Sequence, residues 1–190
     1  GSEGNAGSVF INVAGPMTMT RRGKVESEVT ETIGRGGSIV INAGSLAMDD
    51  VSFMQVQNRD SFGAPGNITV NVEEAFDIRN ASFLSASINV KSVADTSITE
   101  EVGNVVVNAG TLRLSFLGSI RLSTQGQQDA GDIRITADVI EIDDPYLPDE
   151  IVETASGFFS RSRPRARGAG GDIVLDAGLL RVSGNSVITT

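Results

Sequence analysis

The feature that most constrains this chain is a short motif that recurs six times along it. The most regular copy reads GNVVVNAGTLRL from Gly103, and the other copies open at Gly7, Gly37, Gly66, Gly131 and Gly171. Each copy starts with glycine and a small polar residue, and an alternating apolar run follows. The aliphatic residues at offsets two, four and six are Val9, Ile11, Val13; Ile39, Ile41, Ala43; Ile68, Val70, Val72; Val105, Val107, Ala109; Ile133, Ile135, Ala137; and Ile173, Leu175, Ala177. Such regularity is typical of a repeat protein.

The alternation has a period of two, which predicts a strand with one buried face. A second apolar pair follows at offsets nine and eleven, or one position later, and a third pair follows at offsets seventeen and nineteen. The second pairs are Met17/Met19, Leu46/Met48, Ala75 or Phe76 with Ile78, Leu112/Leu114, Ile140/Ile142 and Leu180/Val182; the third pairs are Met54/Val56 and Ile120/Leu122. Between the first two runs stand Gly44, Gly110 and Gly178, where we expect turns with positive φ. Three short strands and a return to the start predict one coil of a parallel β-helix.

Spacing along the chain supports the same fold. Successive motifs open 30, 29, 37, 28 and 40 residues apart, so a coil needs about 28 residues. The expected fold is all-β: a solenoid of about six coils with three strands each, with loops inserted near residues 88–101 and 143–167. Residues 1–6 are expected to be a tag remnant or lead-in, and 7–190 a single domain. Because one coil cannot bury its apolar face alone, the coils must stack.

A polar residue also repeats, at offset five of every copy: Asn12, Asn42, Asn71, Asn108, Thr136 and Asp176. Aligned asparagines on stacked coils predict amide ladders or left-handed corners. The alternative is a polar stripe that faces a ligand.

Composition excludes several classes of function. The formal net charge of −9 argues against nucleic acid and against anionic membrane surfaces as partners. The chain has neither cysteine nor histidine, so it offers no thiolate or imidazole to a metal, and we expect no cofactor. No run of eighteen apolar residues occurs, which predicts no insertion into a membrane.

The most irregular stretch, residues 143–167, opens with acidic residues and closes with four arginines: Arg161, Arg163, Arg165 and Arg167. We expect a loop that projects from the rod and whose deletion leaves the core intact. The arginines are candidates for binding a sulfated or carboxylated polysaccharide, or an acidic protein surface. The alternative is that they only offset the acidic half of a loop.

Repeats such as GNITVN from Gly66 and GNVVVNAGTLRL from Gly103, followed by GSIRLST from Gly118, resemble the passenger repeats of filamentous-haemagglutinin-type exoproteins. These are bacterial two-partner-secretion proteins, and the repeats are most similar to those of large cyanobacterial members. The resemblance covers essentially the whole chain. It implies a right-handed β-helix, export through an outer-membrane transporter and a secreted or cell-surface location. The Asn-Pro-Asn-Gly type of secretion-domain motif is absent, which implies repeat shaft, and the family brings no catalytic residues.

Two classes of function compete. The favoured one is a non-catalytic structural and adhesive shaft, which contacts surface polysaccharide or receptors on host or neighbouring cells and self-associates end to end. The alternative is a carbohydrate-active β-helix enzyme or polysaccharide-binding module. An enzyme needs clustered carboxylates, whereas Asp49/Asp50, Asp143/Asp144 and Asp149/Glu150 fall in turns of different coils. Ice binding ranks last because the threonine array that it needs is missing.

Overall fold

The structure, a computed structural model, describes residues 4–30, 34–59, 65–89, 103–125, 128–145, 155–164 and 166–190. The strands of these residues form two parallel sheets of six. Sheet A contains β1 (Val9–Met19), β3 (Ile39–Met48), β5 (Ile68–Arg79), β7 (Val105–Ser115), β9 (Ile133–Asp144) and β11 (Ile173–Gly184). Sheet B contains β2 (Lys24–Thr30), β4 (Phe53–Arg59), β6 (Phe83–Asn89), β8 (Ser119–Thr124), β10 (Gly157–Ser162) and β12 (Val187–Thr189). One strand of sheet A and the following strand of sheet B together make a rung, and the rungs are numbered 1 to 6 in chain order. The predicted parallel β-helix is confirmed.

The register follows the sequence motif from rung to rung. Ile39 pairs with Ile68, and Ile68 pairs with Val105, so equal offsets stack directly. The aliphatic residues at offsets two, four and six are all buried or partly buried against one continuous core. Where the second apolar pair comes one residue late, the ladder has a register shift, and in rung 3 Phe76 is the inward residue that stacks on Leu112. Every rung turns its inward side chains to the space between the two sheets. Because the rungs stack, the core extends along the whole solenoid.

The prediction of three strands per coil is wrong, because the first two predicted strands are one. In β3 the inward residues are Ile39 and Ala43 before the bend and Leu46 and Met48 after it. The side-chain parity changes within the strand, yet the hydrogen-bonded pairing to the neighbouring rung continues past it. Pairing between rungs resumes after the bend, with a register shift in the ladders that join β1, β3, β5 and β7, so each rung has one long strand and one short one.

The expected positive φ at Gly44, Gly110 and Gly178 is also wrong. Among the described glycines only Gly157 (φ 154°) and Gly184 (φ 64°) have such angles. At the bend, glycine is needed for space instead. A Cβ on Gly110 would lie 2.8 Å from the carbonyl oxygen of Glu74, in the rung below.

Left-handed conformations occur instead in the turns that lead from sheet A to sheet B. Four pairs of consecutive residues have positive φ: Arg21/Arg22, Asp50/Val51, Asn80/Ala81 and Phe116/Leu117. Two positive φ values in succession define a type I′ turn, which normally favours glycine or asparagine. Here hydrogen bonds between rungs hold the turns, as from Val51 N–H to the Asn80 carbonyl (2.9 Å). Stacking thus offsets the local strain.

The predicted insertion boundaries need correction. Gly157–Ser162, inside the predicted 143–167 loop, forms β10 and pairs with β8 and β12. Phe158 is fully buried in the core, so this segment is not a removable loop. Residues 88 and 89, assigned to the other insertion, belong to β6. The remaining residues of that insertion, residues 146–154 and residues 1–3 lie outside the described residues. Within the lead-in, Ala6 donates to the Arg35 carbonyl at 2.9 Å and so joins the stack.

The small polar residue after each motif glycine has a structural role that the sequence pattern left unexplained. Its side-chain oxygen accepts a hydrogen bond from the backbone N–H of the equivalent residue one rung later. The five bonds run from Ser38 to Ser8, Asn67 to Ser38, Asn104 to Asn67, Asp132 to Asn104 and Asp172 to Asp132, at 2.7–3.1 Å. These bonds fix the register at the start of each strand of sheet A.

Candidate functional site

The asparagine column at offset five forms a ladder on the outer face of sheet A. Nδ2 of Asn42, Asn71 and Asn108 each donates to Oδ1 of the preceding asparagine, at 2.6, 2.8 and 2.8 Å. The predicted amide ladder is confirmed over rungs 1 to 4. Thr136 and Asp176 continue the column in rungs 5 and 6.

An open groove of about 1020 Å³ runs beside this ladder, parallel to the solenoid axis. Its lining is the asparagine column together with alanine, glycine and valine at the bend and the carboxylates of Glu73, Asp138 and Asp176. Most of the ladder amides are already engaged with one another. The polar stripe along the groove is therefore structural over rungs 1 to 4.

A second column on sheet A is made of alternating charges. Arg113 Nε lies 3.0 Å from Glu141 Oε2, Arg113 Nη1 lies 3.5 Å from Asp77, and Arg181 Nη1 lies 2.8 Å from Glu141 Oε1. Hydrogen bonds from Arg113 and Arg181 lower the pKa of Glu141 below its usual value of 4.5. The column stabilises the stack electrostatically, as opposite charges do across neighbouring strands.

The outer face of sheet B carries a different surface, a depression of about 470 Å³ that we call the arginine depression. Its walls combine arginines with aromatic rings and with serine and glutamine side chains. It is lined by Gln55, Phe83, Ser85, Ser87, Arg121, Leu122, Ser123, Phe159, Arg161, Ser162, Arg163 and Pro164. It spans rungs 2 to 5, so its residues come from four separate strands and the segment that follows β10.

Aromatic rings hold two of the arginines in place. The guanidinium carbon of Arg121 lies 4.9 Å from the ring centre of Phe83, and that of Arg161 lies 4.5 Å from the ring centre of Phe159. Phe83 in turn stacks on Phe53, with ring centres 5.3 Å apart. Arg121 Nε also donates to Ser119 Oγ at 2.6 Å. Cation–π contacts of this kind orient a guanidinium while leaving its in-plane N–H donors available.

The two arginines are electrostatically uncompensated by the described residues. Phe159 pairs with Arg121 and Arg161 pairs with Ser123, so the two guanidinium groups lie on neighbouring rungs. Burial, and then the positive charge of Arg161, lower the pKa of Arg121 below its usual value. No described carboxylate forms an ion pair with either of them. On the strands of this face the described acidic side chains are Glu26 and Glu28 in rung 1, about 14 Å from rung 4 at about 4.8 Å per rung.

Two of the four arginines predicted as a binding cluster line the depression. Arg161 lies in β10 and, with Arg163, lines the depression. Arg167 is exposed and does not line it, and Arg165 lies outside the described residues. Sequence reasoning missed Arg121. The signal was present, because Arg121 stands between the inward residues Ile120 and Leu122 and must therefore point outward.

The carboxylate pairs that an enzyme would need are far apart. Asp49/Asp50 follow β3 in rung 2 and Asp143/Asp144 end β9 in rung 5, a separation of about 14 Å, whereas glycosidase carboxylates lie about 5–9.5 Å apart. Asp49 is engaged by Arg79 Nε at 2.9 Å and by Asn80 Nδ2 at 2.6 Å. Burial raises the pKa of Asp49, but the hydrogen bonds from Asn80, Asp50 N–H and Arg79 together lower it. Asp149 and Glu150 lie outside the described residues, and the described residues contain no group of three acidic, histidine or cysteine side chains suited to a metal ion.

Comparison of the chain with known protein families, characterised proteins and solved structures gave no match. The class that the fold itself defines is the parallel β-helix, and the resemblance to filamentous-haemagglutinin-type proteins stays a prediction. Within the part of the chain that the structure describes, there is no helix long and apolar enough to cross a membrane.

Proposed function

We propose that this chain is a non-catalytic structural and adhesive shaft segment of a large secreted or surface-attached bacterial exoprotein. The observation that carries the proposal is the continuous register of the two sheets. At offsets two to six, equal offsets stack from rung 1 to rung 6, and side-chain ladders tie successive rungs together. Such a stack has a defined direction and length, which a spacer or stalk requires.

The last rung supports a role in longer assemblies. Leu180, Val182 and Ile188, which occupy inward columns, are 40–47% exposed because no described residue covers their free side. Their strands also present unpaired backbone groups along one edge, which favours addition of another strand. A further rung, or rung 1 of a second copy, would continue the same columns, and head-to-tail contacts of this kind produce filaments. End-to-end self-association is therefore part of the proposal.

In the parent protein the proposed partners are an outer-membrane transporter during export and, afterwards, surface polysaccharide or receptors on host or neighbouring cells. Immunogold labelling of intact source cells with antibodies against this chain tests the location. We expect label on surface fibres or protein in the culture medium. Label that appears only after the cells are permeabilised would contradict the proposal.

Sedimentation velocity over a hundredfold range of concentration tests the self-association. We expect elongated oligomers that increase with concentration for the natural chain, and monomers for the double variant Leu180→Lys, Val182→Lys. Thr69→Lys, which adds a charge to the outer face of rung 3, is the matched control and should still associate. A natural chain that stays monomeric at the highest concentration would refute this part of the proposal.

A further inference from the structure

The arginine depression presents two guanidinium groups, each of which lies over an aromatic ring. Arg121 rests on Phe83 and Arg161 rests on Phe159, so both side chains are held in place before any ligand arrives. Of the five N–H donors of Arg121, one bonds Ser119 Oγ, and no described residue accepts from the guanidinium group of Arg161. Two preorganised forks with open donors match a pair of oxygens of a carboxylate or sulfate group.

Holding two like charges together in a partly enclosed site is unfavourable without a counter-charge. The charged ladder of sheet A shows how this chain compensates arginines elsewhere, since Arg113 and Arg181 share the carboxylate of Glu141. Around Arg121 and Arg161 the described residues supply hydroxyl and amide groups in place of carboxylates. The arrangement therefore favours an anion that comes from outside the described part of the chain.

The rest of the lining indicates what carries the anion. Hydroxyls of Ser85 and Ser123 and the amide of Gln55 line the same depression, and such groups hydrogen-bond to sugar hydroxyls. A volume of about 470 Å³ lies within the range of small-ligand sites. The net charge of −9 repels a densely charged polymer, so a ligand with isolated negative charges fits better.

We propose that the arginine depression binds an acidic sugar unit of a sparsely charged polysaccharide, with Arg121 and Arg161 holding its carboxylate or sulfate group. Arg163, at the rim, adds a third positive charge, and the serine and glutamine side chains contact the flanking sugar hydroxyls. This inference specifies the ligand of the adhesive part of the proposed function and rests on that part. The shaft role does not depend on it.

Three matched trisaccharides test the inference by isothermal titration calorimetry. Their central units are glucuronate, glucose 6-sulfate and glucose. We expect at least one charged trisaccharide to bind more than tenfold tighter than the neutral one. Binding should weaken several-fold when salt rises from about 50 to 300 mM, because exposed charge contacts are screened. The preferred charged trisaccharide tells a carboxylate ligand from a sulfate ligand.

Variants locate the site. Arg121→Gln and Arg161→Gln should each lower the affinity at least tenfold, and Arg121→Lys should recover only part of the loss because a lysine cannot bind in a bidentate way. Arg134→Gln, which removes an equal charge from the outer face of sheet A, should change the affinity less than twofold. The melting temperature of Arg121→Gln should not fall, since the change removes an uncompensated charge. If Arg121 had only a structural role, the same change would lower the melting temperature.

Three results would overturn the inference: equal binding of charged and neutral trisaccharides, unchanged affinity in both arginine variants, or inorganic sulfate bound as tightly as the charged trisaccharides. Failure here is distinguishable from failure of the shaft proposal. The trisaccharide titrations do not depend on filament formation, and the labelling and sedimentation experiments do not depend on a glycan.

Discussion

Gly44 faces the carbonyl oxygen of Ala14 in the preceding rung so closely that a Cβ on Gly44 would lie 2.9 Å from it. A Cβ on the equivalent bend residues Gly110 and Gly178 would lie 2.8 and 2.9 Å, respectively, from a carbonyl oxygen of the preceding rung. Gly15 occupies the bend of rung 1, where a Cβ would have no described atom of another rung within 4 Å. In rungs 2, 4 and 6 glycine therefore lets the bend approach the backbone of the preceding rung, whereas rungs 3 and 5 have Glu73 and Asp138 at the same offset.

Gly44→Ala should destabilise the protein by about 1–3 kcal/mol, because the new methyl group forces two backbones apart. Gly15→Ala should be neutral or stabilise by up to about 1 kcal/mol, because it restricts the unfolded chain at no steric cost. Urea denaturation of both variants measures the difference. Equal effects would show that the close approach between rungs is not what selects glycine.

Val107→Asp should destabilise by about 3–5 kcal/mol or prevent folding, because Val107 is fully buried and the carboxylate would have no partner. Val106→Asp makes the same change on the outward side, between Thr69 and Arg134, and should cost no more than about 1 kcal/mol. Chemical denaturation checks both. Similar losses would refute the inward and outward parity of β7.

Phe158→Ala should destabilise by about 3–5 kcal/mol, because it leaves a cavity in the core beside Ile120. Phe10→Ala is the matched control, since Phe10 is 70% exposed and its loss should stay within about 0.5 kcal/mol. Thermal and urea unfolding report both values. A small effect of Phe158→Ala would restore the view of residues 143–167 as a removable loop.

Glu141 should contribute to the acid sensitivity of the fold. Its pKa is lowered in the folded state by Arg113 and Arg181, so its stabilising effect is present above the usual value of 4.5 and is lost as the pH falls through the folded-state pKa. Glu141→Gln should therefore lower the urea midpoint at neutral pH, and its difference from the natural chain should shrink in acid.

Glu74→Gln is the control for this pH series, because Glu74 is exposed and has no ion pair among the described residues. A constant difference between Glu141→Gln and the natural chain across the whole pH range would exclude the ion-pair explanation.

The sequence by itself determined the repeat, the strand parity and the inward residues. These follow from local alternation, and in a solenoid an equal offset gives an equal environment, so the pattern of Val105 and Val107 is sufficient to place Ile133 and Ile135. The asparagine ladder was predictable for the same reason. The second half of the motif was harder to assign to a strand, because the change of parity at Gly44 looks like the end of one strand and the start of another when only one rung is considered.

Only the tertiary structure decided the features that depend on contacts between rungs of unequal length. Gly157–Ser162 departs from the repeat and follows a long interruption, so its place as β10 is fixed by pairing with β8 and by the burial of Phe158. The same pairing brings Arg161 next to Arg121, although the two are far apart in the chain. Local sequence determines which side of a strand a residue faces, whereas the hydrogen-bonded register between distant segments determines which residues meet.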